Sequence, residues 1–296
     1  MTNFQIQNCR LQLSGRTRGL AAAGVLLALF TLMPSVAGQQ PVPADLVRAA
    51  IQNELKDDAH AHFFTWKERN YRGRIPQIEH MVDTPNGTVS RVVLIDDKPL
   101  SPAQQREEDE RIRRMLDPAQ MRRKRKEQQE DDERTRKMLG AIPNAFDFVY
   151  LDSAQAPNGH KLTHIRFTAR PGFDPSSREA MVFTGMRGEM LVDETASRLV
   201  KIDGTLFKEV TFGWGILGKL YKGGRFVVEQ TEVAPLHWDT TRMILHFDGK
   251  ALWFKPIHVD DNETSWDFQP VPPMSVQQAM DFLNREQPRQ NALLAH

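Results

Sequence analysis

The sequence predicts an α+β fold that is mostly β, a strongly curved antiparallel sheet or incomplete barrel with covering helices. Short strand-like runs follow one another from Phe146 to Phe268 without helical runs between them, and they include "MRGEMLVD" (186–193), "TLFKEVTFG" (205–213), "ALWFKPIHV" (251–259) and "TSWDFQPV" (264–271). Their connections carry Gly, Asn, Asp or Pro at close spacing, which is typical of antiparallel sheets. Within an aromatic-rich stretch, Gly213, Gly215 and Gly218 would let strands bend or bulge, as a curved sheet requires.

Residues 1–38 have the pattern of a signal peptide. Three arginines form a basic leader, and the apolar run 19–33 has the length of a signal-peptide core and is short for a membrane span. Small residues then place cleavage after Ala37 or Gly38. An uncleaved anchor is the alternative. We expect an exported, periplasmic protein without a lipid anchor, because no cysteine follows the apolar run.

The charge and cysteine content of the mature chain exclude several classes of function. The leader carries three basic and no acidic residues, so the balance of 39 basic against 38 acidic residues becomes 36 against 38. A near-neutral chain is not expected to be a general nucleic-acid binder. The only cysteine, Cys9, lies in the leader, so the mature chain has no disulfide, cysteine nucleophile or zinc thiolate.

Residues 39–101 are predicted to form an N-terminal helix and the first strands of the curved sheet. The segment "PADLVRAAIQNELK" has apolar residues at helical spacing, and Asp45 is placed to cap it. Three strand-like runs follow, "HFFTWKERNY", "IPQIEHMV" and "TVSRVVLI". The turn signal "DTPNG" between the last two predicts a hairpin.

Residues 102–140 are predicted to be a charged helical insertion, with twelve Lys/Arg and ten Asp/Glu. Ser101-Pro102 and Asp117-Pro118 each place a capping side chain before a proline, which predicts two helices or one with a break near residue 117. A narrow apolar face should hold the first helix, and the second half should stand partly clear of the body. The run "RRKRK" (122–126) is explained by i,i+4 charge pairs on a solvated helix, or alternatively by contact with anionic head groups or an acidic partner.

Residues 141–296 are predicted to form the remainder of the half-barrel and a C-terminal helix, "SVQQAMDFLN", capped by Ser275. The stretch "TFGWGILGKLYKGG" should continue the sheet, with Gly223-Gly224 as the turn into the next strand. A pore-like or fusion-like segment is the alternative, although Lys219 and Lys222 interrupt its apolar run.

The sequence carries no nucleotide-binding, serine-hydrolase or zinc-protease motif, so we expect no enzyme, no catalytic residues and no cofactor. The best candidate for a metal site is "DDAHAH", where His60 and His62 follow Asp57 and Asp58. A polar helix-to-strand junction with incidental histidines is the simpler explanation of these residues. We therefore predict no metal site.

Aromatic residues recur on successive predicted strands and would give a curved sheet an apolar concave face. The alternative is an ordinary core. If the face encloses a cavity for an apolar ligand, the ligand-binding candidates are Trp66, Phe207, Phe212, Trp214, Phe226, Trp238, Phe247 and Trp253.

The segments "GEMLVDETASRLVKIDGTL", "FGWGILGKLYKGGRFVVEQTEV" and "FDGKALWFKPIHVDDNETSWDFQPV" resemble the outer-membrane lipoprotein-sorting, or LolA-like, periplasmic proteins. The resemblance covers roughly residues 185–270 and the N-terminal helix followed by "FFTWKER", with Asp193 opening a turn before "RLVKI". It implies an incomplete barrel with a helical lid, whose apolar concave surface shields acyl chains in transit.

Together these observations predict an exported, non-enzymatic carrier or chaperone that sequesters an apolar ligand, with lipid or lipoprotein acyl chains as the leading candidates. The alternative is an envelope protein–protein interaction module that acts through the charged helices 102–140. A partner in the envelope is expected in that case. We expect no nucleic-acid partner and, at most, a peripheral contact with the membrane.

Overall fold

The computed structural model describes residues 42–57, 62–72, 75–213, 218–251 and 255–294, so the predicted leader lies outside the described residues. Four α-helices and one 3-10 helix occur there. The α-helices are α1 Pro43–Asp57, α2 Pro102–Met115, α3 Pro118–Ala145 and α4 Val276–Leu294, and the 3-10 helix is Glu179–Gly185. The strands are β1 Phe64–Arg72, β2 Ile75–Val82, β3 Val89–Ile95, β4 Lys98–Pro99, β5 Phe146–Gln155, β6 Lys161–Ala169, β7 Met186–Asp193, β8 Arg198–Leu206, β9 Val210–Phe212, β10 Gly218–Leu220, β11 Arg225–Ala234, β12 His237–Ala251 and β13 Lys255–Pro270.

The thirteen strands of the described residues form one antiparallel sheet that does not close into a barrel. Its order is β4-β3-β2-β1-β13-β12-β11-β8-β7-β6-β5, and β10 joins β9 to β12. This confirms the predicted fold class. Two predicted runs, 251–259 and 264–271, belong largely to the single long strand β13, and the run 205–213 is divided between β8 and β9.

Strands β7 and β8 approach each other closely at a pair of glycines. Gly188 and Gly204 lie directly opposite each other, and a Cβ at Gly188 would overlap the backbone oxygen of Asp203. The rings of Phe167 and Phe226 occupy the space that a Cβ at Gly204 would need. A large side chain at either glycine would therefore force the two strands apart.

The glycines predicted to bend the sheet have backbone conformations that favour glycine. Gly213 has φ +54° and Gly218 has φ +148°, whereas Gly215 lies outside the described residues. A Cβ at Gly218 would crowd the backbone of Lys250, because β10 packs closely on β12. Gly223, with φ +98°, forms the predicted turn into β11.

Helix α1 packs on one face of β5–β8, which we call the inner face. Val47, Ala50 and Ile51 are buried against Ile165 and Phe167 in the largest core cluster. Burial of a Val or Ile side chain stabilises by roughly 1.5–3 kcal/mol. The helix is thereby fixed against strands β5–β8.

Helix α4 packs on the opposite, outer face of β2 and β3. Residues opposite each other in antiparallel strands share a face. The strand register therefore places Glu68 in β1 and Glu79 in β2 on the inner face, the same face as Phe167 in β6. His80 and Val82 point the other way, toward α4. The second core cluster consists of Val82, Val89, Ile112, Ala279, Met280 and Leu283. Helices therefore cover the two halves of the sheet on different faces.

The predicted two-helix insertion is confirmed, and its first helix covers the free edge of β3. Ser101 forms a capping box at the start of α2, and Asp117 accepts hydrogen bonds from two backbone N–H groups at the start of α3. The buried Glu108 carboxylate accepts the backbone N–H of Val92 at 2.8 Å, and Arg111 donates to the carbonyl of Ser90 at 2.8 Å. Protection of a strand edge in this way prevents pairing with other chains.

Helix α3 runs through Pro143 to Ala145, five residues beyond the predicted end of the insertion. Its last turn is buried against the inner core, whereas residues 129–137 are exposed. The second half of the insertion therefore stands partly clear of the sheet, as predicted.

Candidate functional site

The centre of the sheet is more open than its two halves. Strand β12 has 15 residues and strand β13 has 16. Among the described residues of the two strands, only Gly249 of β12 is buried. Central strands of a sheet ordinarily lose most of their side-chain exposure to packed helices. We call the inner face of these two strands and of β1 the open inner face.

The open inner face carries an apolar row that is only half-buried. Its members alternate with residues of the outer face that are exposed, apart from the half-buried Ile244, as expected for strands with one largely solvated side. The row consists of Met243, Leu245, Phe247, Ile257 and Val259. These side chains provide a continuous surface on which an apolar chain could lie.

The outer face of the same strands is polar. His258 Nδ1 lies 2.7 Å from Asp248 Oδ1, and His246 Nδ1 lies 3.4 Å from Asp260 Oδ1. The carboxylate of Asp248 raises the pKa of His258, and the hydrogen bond from His258 lowers the pKa of Asp248. These exposed cross-strand pairs make this side of β12 and β13 polar, and the half-buried Ile244 is an apolar exception.

An acidic end adjoins the apolar row. Glu68 and Glu263 line a cavity of 210 Å³ together with Trp66 and Met243. The ring of Trp66 stacks on Phe268 with centroids 5.8 Å apart. The open inner face is therefore amphipathic along its length, apolar toward β10 and acidic toward β2.

Carboxyl groups in this acidic end are shifted toward their neutral forms. Burial, followed by repulsion from Glu68, Asp261 and Glu79, raises the pKa of Glu263 to about 7. Burial also raises the pKa of Asp239, which lines the same cavity. Part of this end is consequently uncharged near neutral pH, which lowers the cost of placing apolar groups beside it.

No group of three or more His, Cys, Asp or Glu side chains in the described ranges is arranged to hold a metal ion. His60 lies outside those ranges, and the ring of His62 packs edge-on against His237 with centroids 5.5 Å apart. The acidic cavity and the apolar row offer shape, apolar contact and hydrogen bonding.

The predicted ligand-binding aromatics do not all share one surface. Phe212, Phe226 and Phe247 pack against the inner core, and of these Phe247 also belongs to the apolar row. Phe207 is half-buried between two cations, with its ring centroid 5.7 Å from Arg187 Cζ and 5.6 Å from Lys208 Nζ.

The remaining candidates are divided between the acidic end and the residues that are not described. Trp66 lines the 210 Å³ cavity, and Trp238 is half-buried at the start of β12. Trp214 and Trp253 lie outside the described residues. Ligand binding at the eight aromatics stays a prediction.

Sequence reasoning missed the aliphatic row and the acidic end. The signal was present, because "RMILHFDG" and "KPIHVDDNETS" place Met243, Leu245, Ile257, Val259 and Glu263 at alternate positions. Alternation identifies which residues share a face. It does not show that the face is uncovered, since that depends on where distant helices pack.

No protein-family model and no curated protein matches the sequence. Among solved structures, the chain is similar to the crystal structure of a DUF1329 family protein from Desulfovibrio piger, with a TM-score of 0.26 and 8% sequence identity over 79% of this chain and 95% of that chain. None of the helices within the described ranges combines the length and apolar character needed to cross a bilayer.

Proposed function

We propose that the protein is an exported, non-enzymatic carrier or chaperone that holds an apolar ligand on the open inner face. The observation that carries the proposal is the half-buried apolar row at the centre of the sheet, between two helix-covered halves. Exposed apolar surface of this kind in a folded protein commonly marks a binding site.

The finer form of the proposal is that lipid or lipoprotein acyl chains are the ligand, as the resemblance to LolA-like periplasmic carriers implies. Burial of an acyl chain contributes roughly 0.8 kcal/mol per methylene, so about a dozen buried methylenes suffice for tight but reversible holding. Export by the leader 1–38 would place the protein in the compartment where such a ligand crosses water.

The test is to express the full chain with its own leader, purify it from the cell envelope and extract bound lipid for mass spectrometry. We expect acyl-chain compounds to co-purify. A matched pair of variants locates them: Leu245→Glu places a carboxylate on the open inner face, and Ile244→Glu places the same group on the outer face of the same strand.

We expect Leu245→Glu to lose at least about tenfold of the bound lipid, because a charge in the apolar row must be desolvated when a chain covers it. Ile244→Glu should retain the wild-type amount. Equal lipid in the two variants, or a folded wild-type protein with no extractable lipid, would overturn the proposal.

A second candidate function is an interaction module in the envelope, and the exposure of residues 129–137 of α3 favours it. A helix that is charged on all sides and leaves the body is suited to contact another protein. Replacement of the exposed charges Asp131, Arg134 and Lys137 by Gln should then abolish partner capture without changing lipid content. Unchanged partner capture would remove this candidate.

A further inference from the structure

A second cavity lies where the β2–β3 turn meets the junction of α2 and α3. None of its lining residues lines the cavity at the acidic end of the open inner face. Its volume is 370 Å³, within the range of about 300–1,000 Å³ that is usual for small-molecule sites. Val89, Met115, Met121 and Val276 form its apolar walls. These side chains come from a strand and all three helices of this region, so the cavity is built by tertiary packing.

The polar lining of this cavity comes from the β2–β3 turn and from α3, and it consists of Asn86, Thr88, Gln120, Arg123, Lys124, Glu127 and Gln128. Lys124 lines the cavity, and its ammonium group donates to the carbonyl oxygen of Thr88 at 3.1 Å. Burial and the nearby charge of Arg111 lower the pKa of Lys124. No carboxylate within the described ranges forms an ion pair with Lys124.

A neighbouring cavity of 220 Å³ shares Asn86 and Met121 with the first and is lined by Arg122 and Arg125. Neither of these arginines has an ion-pair partner among the described residues, whereas Arg123 pairs with Glu127 at 2.8 Å. The basic run is therefore only partly explained by i,i+4 pairs. Three of its cations, Arg122, Lys124 and Arg125, lie beside cavities and form no ion pair within the described ranges.

We propose that the cavity between the β2–β3 turn and the start of α3 binds an amphipathic anion, a single acyl chain with a carboxylate head. The chain would lie against Met115, Met121 and Val276, and the carboxylate would accept a hydrogen bond from Lys124. Arg122 and Arg125 add a positive field at the head group. This site is separate from the open inner face, and the proposal does not depend on the proposed function.

The chemistry of the site selects this class of ligand. An ammonium group has three N–H donors, and the single hydrogen bond to Thr88 leaves Lys124 able to donate to a ligand oxygen. The apolar walls favour a chain over a compact, fully hydrated anion. Because the cations line recesses and Lys126 is directed to Glu130, at 3.9 Å, the basic run does not form the uniform positive surface that suits a membrane.

The experiment is isothermal titration of the full chain with dodecanoate, with dodecanol as the uncharged probe of the same chain length. We expect saturable binding of dodecanoate at one site and at least about tenfold weaker binding of dodecanol, as loss of a charge-assisted hydrogen bond implies. Lys124→Gln should weaken dodecanoate binding by about tenfold, because Gln can still donate to Thr88 but carries no charge.

The matched control is Lys126→Gln, which removes the same charge from the same helix away from the cavity, and it should bind dodecanoate like the wild type. Val276→Phe places a larger side chain in the cavity and should abolish dodecanoate binding. Leu245→Glu, on the open inner face, should leave dodecanoate binding unchanged. A thermal unfolding transition for each variant confirms that it is folded. Equal affinities of Lys124→Gln and Lys126→Gln would overturn the proposal. Binding only to vesicles of anionic phospholipid would also overturn the proposal. Loss of dodecanoate binding in Leu245→Glu but not in Val276→Phe would overturn it as well, because that result would assign the acyl chain to the open inner face.

Discussion

Glu263 shows how single residues tune the acidic end of the open inner face. Its side chain lies on the same face as Glu68 and Glu79, and mutual repulsion adds to the effect of burial on its pKa. The aromatics that sequence reasoning chose contribute less to this region, because several of them complete the inner core. Sequence indicates the chemical type of each residue, whereas its pKa and exposure depend on neighbours that are distant in the chain.

We predict that Glu263→Gln stabilises the protein at alkaline pH. The folded-state pKa of about 7 lies above the unfolded value of 4.5, so the folded state binds more protons between these values and stability falls as pH rises from about 4.5 to 7. After discounting for partial exposure, the loss is on the order of 1–2 kcal/mol above pH 7. Urea unfolding at pH 5 and pH 8 should show the variant more stable than the wild type by this amount at pH 8 only.

The comparison must be a difference between variant and wild type, because His80 acts with the opposite sign. Burial, and then the charge of Lys67, lower the pKa of His80 to about 4, so its contribution to stability is lost as pH falls below about 6.5. Both proteins carry His80, and its effect cancels. An equal gain at pH 5 and pH 8 would show that ionisation of the partly buried Glu263 is not the cause. Asp260→Asn, on the outer face of β13, is the control for removing a charge.

The individual elements were largely predictable where their signals are local. Strands β2 and β7 have the predicted bounds, 75–82 and 186–193, and the caps before Pro102 and Pro118 marked the starts of α2 and α3. The sequence did not predict that residues 255–270 form the single strand β13. That continuity depends on pairing with the neighbouring strand β12, which is not visible in the local pattern. The outer-face position of α4 was missed for the same reason, since strand register decides which face each residue joins.

At the scale of elements, we predict that Glu108 fixes α2 to the edge of β3. Glu108→Gln removes the charge that pairs with Arg111 while it keeps one oxygen for the Val92 N–H group. The free energy of unfolding should fall by about 2–4 kcal/mol, because the guanidinium loses its partner in a buried setting. Exchange of the Val92 amide hydrogen should accelerate.

The control is Glu107→Gln, one position earlier on the exposed side of α2, which should change stability by less than about 0.5 kcal/mol. If the two variants unfold at the same denaturant concentration, the carboxylate of Glu108 does not hold the edge.

At the scale of the whole sheet, helices on opposite faces leave the central strands open. Helix α1 and the end of α3 cover the inner face of β5–β8, while α4 covers the outer face of β2 and β3. Gly188 and Gly204 allow the close approach of β7 and β8 within the first of these halves. Sequence patterns predicted the curved sheet, but the uncovered centre arises from long-range packing.

The central claim is that the inner face of β12 is open to solvent and becomes covered by an apolar ligand. Thiol labelling tests it directly, because the single native cysteine, Cys9, lies in the leader and can be replaced by Ser. In the Cys9→Ser background, Leu245→Cys places a thiol on the inner face of β12. Ile244→Cys places a thiol on the outer face at the adjacent position. With a triacylated lipopeptide added, we predict that labelling at position 245 slows at least about tenfold while labelling at position 244 is unchanged. Protection of both thiols or of neither, or a thiol at position 245 that is unreactive without ligand, would contradict the account.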